Sequence, residues 1–452
     1  MKKILSLVLL VSLQLIAFSQ SFNAKVVDSQ TKEAIAFANI YFVDLKTGTT
    51  TNEQGIFKVE NYSQTNIHVQ IQVIGYKTID ETFSLNDSEM KIFYLEESHY
   101  DIQEVVISVA SNNLQRENIT NVSSKNLNEI QQESSLTLSE TISNIPGVEQ
   151  NSTGAGIGKP IIRGLSGNRI VTYAQGARVE NQQWGDEHGL GIGAVGIEKI
   201  EVIKGPASLL YGSDALGGVL YFVAERYAQK NTIESFVASK FLSNSLSTIN
   251  HAGFKIHKGK FKMNLFGTYS SHADYQTPNF KRVYNTRFDE QNVKASFGFN
   301  TKNWIANVRY SFLRNKFGIV EDATYITINE RNFVLPFQAI DDHSVSFDNT
   351  FFTGNSKIKL ILGYTNNYRK EFEDDEIEHA LGLKLNTFTY NLKWHSPKYK
   401  DKFSLIVGSQ GMMQSNLNDG EEILIPDANV SDVGAFAIAN LDLDKLKLQA
   451  GF

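Results

Sequence analysis

The sequence predicts a mainly β protein: a small N-terminal β-sandwich, then a compact α/β domain, then long membrane-type β-strands. Three observations carry this reading. Residues 21–97 alternate apolar and polar positions in short runs separated by turn residues, as in Ala38, Ile40 and Phe42, then Val69, Ile71 and Val73. Residues 198–219 carry a short strand around Ile200 and Val202, a Gly205-Pro206 turn, a small-residue helix and a second turn at Gly217-Gly218. From about residue 228 the alternation lengthens. Trp304, Ala306, Val308, Tyr310 and Phe312 make one apolar face, and Asn307, Arg309 and Ser311 make the polar one.

The N-terminus and the composition narrow the classes. Lys2-Lys3, the apolar run Ile4–Phe18 and small Ser19 predict a secretory signal peptide over residues 1–20. That run is too short for a membrane span. With no cysteine in the chain, disulfides and a lipoprotein anchor are both excluded. No other stretch reaches the length of a transmembrane helix, so a membrane role has to come from a β-barrel. The net charge of −6 gives no footprint for nucleic acid.

Within residues 21–97, Ile35-Ala36-Phe37-Ala38-Asn39-Ile40, Gly48–Phe57 and Ile74-Gly75-Tyr76 resemble the carboxypeptidase-regulatory-like domain. That module often precedes the plug in receptors of the Bacteroidetes type. No HExxH motif occurs, so the domain reads as a periplasmic spacer or docking module, and no enzyme is expected. Residues 98–110 form the linker. In it Asp101–Ser108 resembles the TonB box, with Glu104, Val105, Val106, Ile107 and Ser108 as its core. An extended β-branched run with unpaired backbone can add a strand to a partner's sheet, here a TonB-type energy-coupling protein. The plainer alternative is an edge strand of a neighbouring domain.

Residues 111–226 resemble the plug domain of TonB-dependent outer-membrane receptors. Leu138–Val148 matches the opening helix and its NIPGV turn, and Ile161-Ile162-Arg163-Gly164 matches the strand that follows. Residues 198–219 match the family signature. The structural signature positions are Pro146, Gly147, Arg163, Gly164, Gly205, Pro206, Tyr211, Gly212, Gly217 and Gly218. One departure is Gln175, where members usually have Asp or Asn before the glycine; it weakens any claim about side-chain hydrogen bonds in that turn. Gly154–Gly158 lacks the spacing of a nucleotide fingerprint and reads as a flexible plug loop.

Residues 227–452 then read as the first half of a 22-stranded transmembrane β-barrel in the outer-membrane lipid. About eleven candidate strands follow residue 228, against the roughly 22 of a plugged transporter. A closed barrel of about eleven strands, at ~4.8 Å spacing and ~40° tilt, is roughly 22 Å across, and twice that number gives roughly 44 Å. A plug of ~115 residues is roughly 35 Å wide and fits the larger barrel only. The competing expectation is a complete small barrel, because Phe452 mimics the aromatic ending of such proteins.

Two clusters could carry metal chemistry. Asp186, Glu187 and His188 place two carboxylates beside an imidazole, good ligands for a borderline ion such as Zn²⁺. A solvated loop is the alternative. Zinc-type receptors of this superfamily resemble the chain here, carrying an Asp-His pair at the matching plug position. An acidic stretch, Glu371, Glu373, Glu376, Glu378 and His379, corresponds to their barrel carboxylates, though the register is ambiguous and an acidic surface loop explains it equally well. The resemblance implies a nutrient receptor with no required cofactor, binding a metal or metal complex and possible transport of Zn²⁺. Siderophore, haem or corrinoid ligands, or surface binding and signalling without transport, are the alternatives.

Overall fold

The computed structural model describes residues 21–45, 47–60, 65–73, 76, 78–85, 90–96, 122–133, 135–181, 189–205, 211–212, 214–321, 324–326, 329–400, 402–443 and 446–452. The signal-peptide and TonB-box positions expected above lie outside these residues. The chain divides into two compact units, Met1–Val105 and Val106–Phe452.

The first unit contains β1 (Ser21–Asp28), β2 (Asn39–Phe42), β3 (Thr47–Thr50), β4 (Ile56–Glu60), β5 (Asn66–Gln72), β6 (Ile79–Ser84) and β7 (Lys91–Leu95). They form a three-stranded sheet in the order β4-β1-β7 and a four-stranded sheet in the order β3-β2-β5-β6. Period-two alternation turns Phe22, Ala24 and Val26 of one sheet and Ile67, Val69 and Ile71 of the other into one shared core. Phe83 crosses between the sheets, 5.6 Å from the Phe22 ring centre and 5.2 Å from that of Phe93.

Two polar residues fix the connections. The buried Thr51 hydroxyl donates to the Ile35 carbonyl and accepts from the Ala38 amide, both at 2.8 Å. The turn before β4 is built by Asn52, whose side-chain oxygen accepts from the amides of Gln54 and Ile56. It ends at Gly55 with φ +73°, where an added Cβ would stand 2.5 Å from the Val26 carbonyl oxygen.

The second unit opens with β8 (Val122–Asn126), α1 (Leu127–Gln132), α2 (Leu138–Ser143), β9 (Val148–Gly154), β10 (Ile157–Ile162), β11 (Ile170–Ala174), β12 (Ala177–Val179), β13 (Ile197–Ile203) and β14 (Gly218–Ala224). Thr137 caps α2 by accepting from the Glu140 amide at 3.3 Å, and the Glu140 carboxylate accepts from the Leu136 amide at 2.7 Å. Five strands make a mixed sheet in the order β12-β11-β14-β13-β8, with β11 and β14 parallel. Its core holds Ile142, Ile162, Ile200, Val202, Leu220 and Phe222. Two readings change here. Gly154–Gly158 is the hairpin turn between β9 and β10 with the strand residues that flank it, not a flexible loop. Arg163 and Gly164 are not strand: their φ values of 53° and 75°, with Ile162 and Leu165 exchanging both backbone hydrogen bonds, make a two-residue hairpin turn.

The remainder comprises β15 (Ile233–Leu242), β16 (Ser247–Lys258), β17 (Phe261–His272), β18 (Arg282–Val283), β19 (Phe288–Asn300), β20 (Trp304–Gly318), β21 (Tyr325–Ile326), β22 (Phe337–Thr353), β23 (Ser356–Phe372), β24 (Leu381–His395), β25 (Phe403–Asn418), β26 (Ala428–Leu443) and β27 (Leu446–Gly451). The short strands β18 and β21 pair with each other, and the other eleven form one sheet in sequence order, each antiparallel to the next. β22 and β23 have 17 residues each, more than the roughly 9–11 that cross hydrocarbon. One rim carries short turns at 259–260, 301–303 and 354–355; the opposite rim carries the longer connections 273–287 and 319–336.

The two faces of this wall differ chemically. Val293, Phe297, Val308 and Phe347 are exposed on the outer face, while Asn292, Lys294, Ser296 and Ser346 are buried on the inner one. At the short-turn rim Phe261, Phe299, Trp304 and Phe351 form a chain of rings 5.2, 5.6 and 6.0 Å apart, the aromatic girdle of a membrane interface.

Gly55→Ala should destabilise the first unit by about 1–3 kcal/mol, since it adds left-handed strain to a backbone clash. Loss of hydrogen-exchange protection in β1 and β4 is the check.

Candidate functional site

The site region is the contact between the plug, residues 122–226, and the inner face of the wall. Period-two alternation puts polar side chains on that face, and plug loops present carbonyls that need donors once buried. Lys294 of β19 donates to the carbonyls of Gly193 and Val195, both at 2.7 Å. Asn264 of β17 donates to those of Glu225 and Arg226 at 3.1 Å each. Lys255 of β16 pairs with the Glu225 carboxylate at 2.7 Å. An apolar seam of Ile157 with Phe288, Phe317 and Ile340 closes the same side.

The turn between β11 and β12 shows why Gln175 is tolerated. Gln175 and Gly176 have φ values of 54° and 90°, again a two-residue hairpin turn. The wall addresses the main chain: the Gln175 carbonyl accepts from the Ser346 hydroxyl at 3.0 Å and from Arg309 at 3.5 Å. Any residue able to take that conformation supplies the same acceptor.

Against β24, β25 and β26 the contact is different. A cavity of about 250 Å³ lies between this wall segment and a plug side made of Tyr173, Arg178, Tyr211, Gly212 and Asp214. Arg178 pairs with Glu180 and, at 2.6 Å, with Asp214. Burial opposes charge on the Arg178 guanidinium, but Glu180 and Asp214 more than offset it, so it stays protonated. Burial pushes the Glu180 carboxyl upward, with Arg178 pulling the other way. The Tyr173 hydroxyl is pushed up to about 12, chiefly by burial.

At the long-loop rim, residues 373–380 and 419–427 are joined. The Asp419 amide donates to the Gly382 carbonyl and the Glu422 amide to that of Ala380, both at 2.8 Å. The Asp419 carboxylate accepts from Lys384 at 2.6 Å and from the Tyr368 hydroxyl at 2.7 Å. These hydrogen bonds, Lys384 first, hold its carboxyl down to about 2. Asp375 accepts from the Ile377 and Glu378 amides, so its carboxylate builds the loop turn. Glu373 is shifted upward by desolvation and then by the carboxylates of Glu422, Asp374 and Glu321, which come from three different loops.

The expected metal residues are distributed as follows. Asp186, Glu187 and His188 lie outside the described residues. Glu371, one residue before the end of β23, accepts from the Gln338 amide at 2.9 Å; Gln338 in turn accepts from Arg369 at 2.9 Å. Glu373, Glu376 and Glu378 are exposed in the loop. His379 is committed through Nε2, 2.7 Å from the Asp419 carbonyl. Among the described residues no group of three or more His, Asp or Glu is close enough to hold a metal ion. Of the signature positions, Pro206 is outside the described residues. Tyr211 is buried against Tyr173 and Tyr221, ring centres 5.1 and 6.4 Å away.

A mixed-sheet plug held by the inner face of a long-stranded antiparallel wall, with an aromatic girdle outside, is the architecture of a plugged outer-membrane β-barrel. Residues 115–219 match the TonB-dependent Receptor Plug Domain and residues 23–107 match the CarboxypepD_reg-like domain. These two matches bear out the resemblance of residues 111–226 to the plug of TonB-dependent receptors and of residues 21–97 to the carboxypeptidase-regulatory-like domain. It is similar to vitamin B12 transporter BtuB of Vibrio vulnificus, 36% identical over 95 residues, covering 21% of this chain and 16% of that protein. It also resembles heme/hemopexin utilization protein C of Haemophilus influenzae, 40% identical over 84 residues, 18% of this chain and 12% of that one. Among solved structures, the siderophore receptor PirA from Pseudomonas aeruginosa aligns with TM-score 0.56 at 14% identity, over 73% of this chain and 55% of that one. The FrpB iron transporter from Neisseria meningitidis aligns with TM-score 0.60 at 16% identity, over 73% and 57%. The chain therefore spans little more than half the length of the solved receptors it matches.

Sequence reasoning did not single out Arg178, Lys294 or Asp419. Lys294 stood in the alternating run and was legible as an inward position; its two acceptors, about a hundred residues earlier, were not.

Because the folded Asp419 carboxyl is depressed below the ordinary ~3.9, its contribution is present above that value and is lost as pH falls through about 2. Loops 373–380 and 419–427 should therefore keep their hydrogen-exchange protection from neutral pH to about 3.9, then lose it toward pH 2. Asp419→Asn should show the unprotected loops already at neutral pH.

Proposed function

We propose that this receptor imports a scarce metal nutrient, Zn²⁺ or a metal complex, across the outer membrane and does no covalent chemistry. The long loops face outward, as in other barrels with short periplasmic turns. Ligand meets the receptor where those loops and the plug converge. A TonB-type partner pairs with Glu104–Ser108 and displaces part of the plug, releasing ligand to the periplasm. The observation that carries the metal reading is the convergence of Glu373, Glu422 and Glu321 from separate loops on one rim, a field that concentrates cations. Asp186, Glu187 and His188 supply the ligand types that a divalent ion prefers.

A second reading, import of a siderophore, haem or corrinoid, is supported by the relatives, whose names include vitamin B12, heme and siderophore receptors.

Titration of the purified full-length receptor with zinc should show saturable binding that is lost on Asp186, Glu187 and His188→Ala. Equal binding by both proteins, or competition by haem or a ferric siderophore with no zinc effect, favours the second reading. Deleting Glu104–Ser108 should abolish ligand accumulation in cells while leaving surface binding unchanged; undiminished accumulation would count against TonB coupling.

A further inference from the structure

The two rims of the wall differ in charge as well as in length. The short turns 259–260, 301–303 and 396–402 carry Lys260, Lys302, Lys398, Lys400 and Lys402 against a single acid, Asp401. On the opposite rim, loops 373–380 and 419–427 contain no lysine or arginine, and their charged residues are all aspartate or glutamate. Beside the lysine-bearing rim, on the outer face, an open groove of about 370 Å³ is lined by Ile256, Phe261, Met263, Phe297, Ala306 and Val308, with Lys258 at its mouth. The strand register builds it. Lys258, Phe261, Phe299 and Ala306 stand in one cross-strand row, and Ile256, Met263, Phe297 and Val308 in the next. Ala306 is the smallest side chain of these rows, so the surface dips between the rings. Phe261 and Phe299, 5.2 Å apart, belong to the aromatic girdle, so the groove starts at headgroup level and runs into hydrocarbon.

The lysines at this corner are not all committed. Lys255 and Lys262 point inward, where Glu225 holds Lys255 at 2.7 Å and Lys262 lies 5.6 Å from the Tyr227 ring centre. Lys258 and Lys260 are exposed, and among the described residues neither ammonium pairs with a carboxylate. We propose that the groove is a binding site for an anionic glycerophospholipid of the periplasmic leaflet, with an acyl chain in the groove and the phosphate at Lys258 and Lys260. The proposal takes from the reading above only that the short turns face the periplasm. An acyl chain on a flat apolar wall gains nothing it lacks among other chains, since both surroundings are hydrocarbon. A groove adds dispersion contacts along its length. The two lysines supply the selection, because their apolar stems lie along the wall while their ammonium groups reach the headgroup layer. A zwitterionic head brings its own ammonium and gains less. The acidic rim opposite repels the same headgroup, which confines the site to one leaflet.

The test is native mass spectrometry of the full-length receptor in detergent, mixed with phosphatidylglycerol and phosphatidylethanolamine of identical acyl chains. The first adduct should be phosphatidylglycerol, favoured about tenfold. Lys258→Gln with Lys260→Gln should abolish that preference and leave the weaker phosphatidylethanolamine adduct. Ala306→Phe fills the groove with both lysines in place, and should lower retention of both lipids about fivefold. Lys398→Gln with Lys400→Gln makes the same change of charge on the same rim, away from the groove, and should alter neither adduct. Equal adducts of the two lipids on the unaltered receptor, an equal loss in both lysine pairs, or full retention by Ala306→Phe would overturn the proposal. So would a dimer free of phospholipid, which would give this face to a second copy of the chain. The substituted side chains lie on the lipid face or in turns, so the plug and its contacts stay as they are. The measurement needs neither zinc nor an energy-coupling partner. A receptor that retains phosphatidylglycerol as stated but accumulates no zinc therefore refutes the import reading alone.

Discussion

Alternate residues of each long strand point to opposite sides of the sheet, and most of the second unit's chemistry follows from that period. On the outer side the alternation gives Val293, Phe297 and Val308 to the hydrocarbon, with the Phe299–Trp304–Phe351 rings at one boundary. On the inner side it gives Asn264, Lys294, Ser346 and Asn391 to the plug. A slip of one residue in any strand would exchange these sets. The antiparallel register of neighbours is continuous from β15 to β27, and it holds the two chemistries apart.

The plug is consequently docked on a polar surface, and its contacts are of the kind that can be exchanged. A carbonyl bonded to Lys294 or Asn264 can return to water at a modest net cost, because an intramolecular hydrogen bond contributes only about 0.5–1.5 kcal/mol. An apolar interface of the same extent would have no such substitute. The plug interior is different. Val202, Leu220 and Phe222 are almost wholly buried in it. Parting from the wall exchanges polar contacts for water, whereas opening the core would expose apolar side chains.

Much of the fold was legible from local pattern. Period-two runs gave the sandwich and the wall strands, and turn glycines marked the plug's corners. The errors were also local. Arg163 was placed in a strand by its likeness to the family's motif there, yet a positive φ at both Arg163 and Gly164 makes a turn that only backbone geometry reveals. Gly154–Gly158 looked mobile because it is rich in glycine, whereas those glycines admit close approach: a Cβ at Gly156 would stand 2.7 Å from the Phe288 ring. The site was less legible. Arg178 meets Asp214 across 36 positions, Lys294 meets Val195 across 99, and Tyr368 meets Asp419 across 51. No spacing rule relates such pairs; only the strand register brings them together. His379 illustrates the converse, since a ligand-type residue in an acidic run is occupied by a carbonyl that lies 40 positions away.

The order of strands in the plug sheet has a mechanical consequence. Among the described residues β8 is the first plug strand, lies at the sheet's edge and pairs only with β13, from Val122 opposite Ile203 to Asn126 opposite Lys199. A tension arriving along the chain from its N-terminal side therefore meets an outermost strand of five residues. Detaching it requires no other strand to move and leaves β12-β11-β14-β13 as a sheet with its registers intact. Had β8 been inserted centrally, the same tension would have had to split the sheet in two. As built, the first step of such a pull removes one edge strand and leaves β13 as the new edge.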